Sequence, residues 1–147
     1  MKTTKLLVKS IIVWVTMCSY TSFAQKSQDM SKNEKLIRTL YGAYEKKDWN
    51  MLEQTLAKGF TFTSPAGDDH IDVKLYKQRC WPNSENIKKF DFEKIIVVGD
   101  VGFAMGNGWT NDGKLFRNTE YFKFKDGKIE SIECFFGTGI NFPNSGK

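Results

Sequence analysis

Three places in this chain carry side chains able to do chemistry. Glu120 alternates with Phe122 and Phe124, so on a strand the acid and two rings share one face. Aromatic neighbours, expected to be Phe122, Trp109 and Phe136, keep the carboxyl out of water and raise its pKa toward values useful for proton transfer. The competing readings pair Glu120 with Arg117, Asn107 or a backbone donor, or slip the strand register by one so that it faces water. Asp68-Asp69-His70 holds the one histidine, with Asp72 close behind. Imidazole beside carboxylates can act as a general base or, with them, hold a metal. One histidine is short of a metal signature, and such residues at a strand-turn-helix junction commonly satisfy backbone donors, so no metal and no cofactor is expected. Cys80-Trp81-Pro82 is the third place. A cysteine nucleophile needs an activating base, which no residue near Cys80 in sequence supplies, while Trp81 offers a flat face for stacking.

The elements that position these residues are marked by turns and caps. Asp112-Gly113 and Asp126-Gly127 separate alternating apolar runs, a strong hairpin signal because tight hairpin turns need residues that accept positive φ. Four strands are expected at roughly 87–98, 101–110, 114–125 and 128–136. Earlier in the chain, Ser31-Lys32-Asn33-Glu34 has capping-box spacing. The helix it starts carries Ile37, Leu40, Tyr41 and Tyr44 on one stripe. Asp48 caps a second short helix bearing Trp49, Leu52 and Leu56, which stops at Gly59. Phe60 to Thr63 alternates as a strand ending at Ser64-Pro65-Ala66-Gly67, and Asp69-His70-Ile71 is a short return strand. Asp72 caps a third helix running through Trp81 and ended by Pro82, with Val73, Leu75, Tyr76 and Cys80 available to its buried side.

The first 24 residues stand apart. Lys2, Lys5 and Lys9 flank the apolar run from Ile11 to Val15, and Ser22-Phe23-Ala24 is a small-residue cleavage site, the pattern of a secretory signal peptide cut before Gln25. The run is too short and polar for a stable membrane span, and Val15-Thr16-Met17 is a poor match to the residues expected before a lipidated Cys18. Export to a periplasmic or secreted location is therefore expected. Residues 25–30 read as a linker, 31–140 as one domain of a common size, and 141–147 as a tail. Three of the 22 basic residues leave with the leader while all 17 acidic ones stay, so the net charge of +5 is mostly targeting signal. Lysines alternating with apolar residues read as solvated strand faces, so no nucleic-acid partner is expected. Cys80 and Cys134 form either one disulfide or two buried thiols.

The order helix, helix, strand, turn, helix, then a four-strand meander closing on Gly127-Lys128-Ile129 resembles the SnoaL-like, NTF2-like superfamily. Tyr44 to Asp48 before the second helix and the Phe60 to Gly67 strand and turn carry the same likeness. It implies an α+β fold, a cone of three N-terminal helices packed on a strongly curved, mostly antiparallel sheet around an apolar cavity. Relatives are often dimeric through the outer sheet face. On a steroid-isomerase template the inward set is Phe60, Phe62 and Ser64; Phe103, Met105, Asn107 and Trp109; Glu120, Phe122 and Phe124; and Ile132, Cys134 and Phe136. Leu40, Tyr44, Cys80 and Trp81 close the helical side. The substrate-binding set is accordingly Leu40, Tyr44, Phe62, Ser64, Cys80, Trp81, Met105, Asn107, Trp109, Phe122, Cys134 and Phe136, with Glu120 and His70, at the pocket mouth, as candidate catalytic groups. The isomerase set is incomplete, with Leu40 in place of its tyrosine and Ser64 in place of its base; Tyr41 or Tyr44 is left to replace the hydroxyl. The expected ligand is a small apolar or aromatic molecule. Isomerase or cyclase chemistry through Glu120, and a dimeric interaction module with a filled cone, are the alternatives. Tyr121, Lys123, Glu133 and Phe135 face outward, where exposed aromatics suit a dimer contact.

Overall fold

A computed structural model describes residues 32–136. The expected leader, the linker, the capping Ser31 and the tail lie outside the described residues. Helix α1 covers 32–46, with Ile37, Leu40 and Tyr41 buried and Tyr44 half-buried along the expected stripe. It ends at Lys47, whose φ of 58° takes the chain out of the helix. Asp48 accepts from the Met51 amide at 2.9 Å and caps α2, Trp49–Glu53. This helix is shorter than the sequence implies, and Leu56 belongs to β1, Leu56–Ser64, instead. The reason lies at Thr55: its hydroxyl and amide both return to the Leu52 carbonyl, while its own carbonyl accepts from Ile129 and draws the chain into the sheet. Gly59, at φ 87°, sits where the β1 register shifts.

β2 is Asp68–Ile71, and α3, Val73–Arg79, starts with Asp72 accepting from the Leu75 amide at 2.8 Å. The expected extension through Trp81 is replaced by a 3-10 helix, Trp81–Asn86, because Pro82 has no N–H to continue an α-helix. Tyr76 takes the buried side of α3 and Leu75 is exposed. The meander follows as β3 Ile87–Val98, β4 Val101–Thr110, β5 Leu115–Lys125 and β6 Lys128–Phe135, close to the expected bounds. Asp126 and Gly127 both have positive φ, the demand of a tight hairpin turn.

The six strands form one sheet in the order β2-β1-β6-β5-β4-β3, antiparallel throughout except for the parallel pair β1 and β6. Register shifts in β1, β3 and β6 bend it, as bulges do. Phe60, Phe122, Ile129 and Ile132 meet Ile37, Leu40 and Leu52 of the helices in a fully buried floor. Cys80 and Cys134 are both free thiols. Among the described residues no helix is long and apolar enough to cross a membrane.

One strand faces opposite to expectation. In β4 the buried residues are Gly102, Ala104 and Gly108, whereas Phe103 is 47% exposed. Phe103, Met105, Asn107 and Trp109 therefore stand on the convex face. Phe103 packs on Tyr121 with centroids 4.8 Å apart, Asn107 accepts from Arg117, and the Trp109 indole donates to Asp91 at 3.0 Å. The physical reason is volume. Rings from β3 and β5 already fill the concave side beside β4, so only small residues fit there and the bulky ones turn outward.

Candidate functional site

Strand register assembles a polar row across the concave face. Ala104 pairs with Glu120 and Glu120 with Cys134; Thr63 pairs with Glu133, which sets Ser64 alongside Cys134, and Ser64 pairs with Asp68. All five inward members of that row, Ala104, Glu120, Cys134, Ser64 and Asp68, are buried. The neighbouring row of Gly102, Phe122, Ile132, Phe62 and Ile71 is apolar and belongs to the floor. The two ends of the polar row differ. Asp68 accepts from the Ser64 hydroxyl at 2.6 Å and lies 3.0 Å from the Arg79 guanidinium, so its charge is compensated. Glu120 has no ion-pair partner among the described residues.

Glu120 is 9% exposed, and its Oε2 accepts from the Tyr41 hydroxyl at 2.6 Å. Burial pushes its carboxyl pKa above the ordinary value, opposed by hydrogen bonds from Tyr41 and the Cys134 thiol. The Tyr41 phenol is raised well above its ordinary value, first by burial and then by the adjacent acid. Tyr41 therefore stays protonated and donates, while Glu120 is the group whose protonation can change. A second hydroxyl pair, Tyr44 and Tyr76 at 2.8 Å, lies under the helices, with Trp81 packed against Tyr44 at 5.0 Å. Burial raises the Cys80 thiol to about 12, and Cys134 is raised too, so neither has the thiolate character of a nucleophile.

Towards the mouth of the cone, β5 continues the same face from Glu120 back through Asn118 to Phe116. Asn118 and Phe116, with Tyr41, Phe90, Asp91, Phe92, Gly106, Asn107 and Gly108, line a cavity of about 10 Å³ that stops short of Glu120. That is room for a single water. Tyr41 meets Phe90 and Phe92 edge to face, both at 4.7 Å.

Among the expected site residues, Glu120, Leu40, Phe62, Ser64, Phe122 and Cys134 are buried inside, with Tyr44, Cys80 and Trp81 half-buried against them. Met105, Asn107 and Trp109 are on the other side of the sheet, as described. Phe136 follows the end of β6 and is 37% exposed, because the strand stops before its alternation can carry the ring inward. His70 is not at the pocket mouth. Its φ of 51° turns the exposed ring to Asp69 at 2.5 Å, and it lines a convex-face groove of about 200 Å³ with Thr61, Thr63, Lys123, Glu130, Ser131 and Glu133. No group of three or more metal-ligating side chains occurs among the described residues. Tyr41 was legible only as an alternative hydroxyl; Asn118 and Phe116 were missed, although stepping back by two from Glu120 finds both.

This architecture is the NTF2-like fold. The chain is similar to an NTF2-like protein of unknown function from Cytophaga hutchinsonii, at 19% identity and TM-score 0.56 over 71% of this chain and 88% of that one. It is likewise similar to an NTF2-like protein of unknown function from Burkholderia pseudomallei, at 18% identity and TM-score 0.56, covering 74% and 92%. TerC, crystallised with polyporic acid, matches at 15% identity and TM-score 0.58 over 73% and 92%. No protein-family model and no curated protein sequence matches the chain.

Proposed function

We propose that the protein is exported and binds a small planar aromatic molecule carrying one hydrogen-bonding oxygen, with the ring in the apolar cone and the oxygen at Tyr41 and Glu120. The observation that carries this reading is Glu120, an acid buried among rings with a tyrosine and a thiol as neighbours and no cation among the described residues. Such a group costs stability where it stands, a cost that perturbed acids at functional sites commonly represent. The protonated acid donates to a carbonyl or phenolate oxygen; the carboxylate accepts from a hydroxyl. The same proton exchange is what isomerisation or cyclisation through Glu120 would use. TerC, similar in fold, was co-crystallised with polyporic acid, which supports an organic ligand for a protein of this fold.

Titration calorimetry with 2-naphthol as probe tests the binding reading. Tyr41→Phe and Glu120→Gln are each expected to weaken binding about tenfold, the worth of one hydrogen bond to a charged group. Unchanged affinity in both variants sinks it. For the catalytic variant of the reading, a pH-rate profile left unchanged by Glu120→Gln removes Glu120 as acid or base.

A second reading is a dimeric module with a filled cone, favoured by the 10 Å³ cavity beside Tyr41. Its interface would be the convex row Ile96, Phe103 and Tyr121 together with Phe135, of which Ile96, Phe103 and Phe135 are about half exposed. Sedimentation equilibrium separates the cases: a monomer at micromolar concentration dismisses the module.

A further inference from the structure

We propose that the Phe116 ring is a built-in plug, standing where a planar aromatic ligand stacks above Gly108 and swinging aside to admit that ligand to Tyr41 and Glu120. This rests on the ligand reading above and adds the way in. Gly108 and Phe116 are direct cross-strand partners. A Cβ built on Gly108 would lie 2.0 Å from Phe116 Cζ and 2.5 Å from both Cε atoms, so the tip of the ring rests on bare backbone that only glycine leaves open. Phe90 meets the ring at 90° with centroids 6.2 Å apart, an edge-to-face contact of the kind an aromatic ligand would make.

Accessibility separates this ring from those of the floor. Phe60 and Phe122 are 2% and 0% exposed, whereas Phe116 and Phe90 are only half-buried. Phe116 also follows the 111–114 turn, next to the exposed Leu115, at the strand end where the least packing holds it. An aromatic ring laid over a cross-strand glycine shields the strand backbone in its own right. Here it also closes the small cavity that reaches Tyr41, and Asn118 lies one inward step below it, offering a donor and an acceptor to a ring substituent. With Phe116 turned out, its own volume joins that cavity and forms a slot one ring wide above Gly108. The ligand class follows: flat, aromatic, with its oxygen at the leading end.

The test follows 2-naphthol binding to the full mature chain by stopped-flow fluorescence, together with fluorine NMR of a protein carrying 4-fluorophenylalanine at position 116. Saturating 2-naphthol is expected to move the para-fluorine signal and give it a solvent isotope shift, as the ring leaves Gly108. Phe116→Ala is expected to raise the association rate roughly tenfold through loss of the Phe90 contact, and Phe116→Leu, which keeps the strand covered should the alanine variant fail to fold, by less. Binding at equal association rates with an unmoved fluorine overturns the plug and leaves the ligand reading standing. Binding to the alanine variant alone marks a cavity made by the substitution and overturns it as well. Binding to none of the proteins overturns both.

Discussion

β4 and β5 lie side by side in unbroken antiparallel register, yet they distribute bulk in opposite ways. β4 turns Gly102, Ala104, Gly106 and Gly108 inward and Phe103, Met105 and Trp109 outward; β5 turns Phe116, Glu120, Phe122 and Phe124 inward and Arg117, Tyr121 and Lys123 outward. One strand supplies the interior side chains and the other the space they occupy. Close packing is thus a property of the pair, and the inward volume of either strand alone says little about the cone.

The largest expected effect breaks the contrast at its filled side. Phe122→Ala removes a fully buried ring from the floor and is expected to cost about 3–5 kcal/mol by denaturant titration. Next comes the empty side: Gly108→Ala drives a methyl into the tip of the Phe116 ring, which turns aside to admit it, and is expected to cost about 1 kcal/mol, the low end of overpacking. In a Phe116→Ala background that cost should largely vanish, and a double-mutant cycle without coupling would show that the two strands do not share the volume.

Glu120 sharpens the comparison by pH, since it is an inward acid of β5 without a cation among the described residues. Its folded pKa is raised, so its protonated form contributes stability that is fully present below the ordinary value of 4.5 and lost as pH rises through the folded pKa. Thermal unfolding of the wild type should therefore show stability falling above pH 4.5, and Glu120→Gln should remove that part of the decline. The smallest effect belongs to the outer face of β4. Phe103→Ser is expected to change monomer stability by about 0.5 kcal/mol or less, which thermal unfolding at low protein concentration would check.

Most element boundaries were legible because turn and cap residues act locally. Asp126-Gly127 and Asp48 do in the structure what their types dictate. The second helix was overextended because the signal that ends it is tertiary, the bond from Ile129 to the Thr55 carbonyl. The face of β4 failed for a related reason. Alternation divides a strand into two faces without saying which is inside, and the deciding volumes sit on β3 and β5. Of the three rings expected around Glu120 only Phe122 lies inside with it, since Trp109 is on the convex face and Phe136 is exposed, and its partner Tyr41 is 79 positions away with nothing in the local sequence to tie them together.

The parallel pairing of β1 with β6 has a kinetic meaning. β1 lies near the start of the described fold, and its neighbour in the sheet is the last strand, so Leu56 meets Ile129 only after the whole meander is available. Contacts of such sequence separation carry a large loop-closure entropy and slow the search for the native state. This separation predicts that the three hairpin pairings of β3 to β6 form before the β1–β2 hairpin docks. Ser64 and Asp68 belong to that hairpin, so in pulse-labelling hydrogen exchange they are expected to gain protection after β3 to β6.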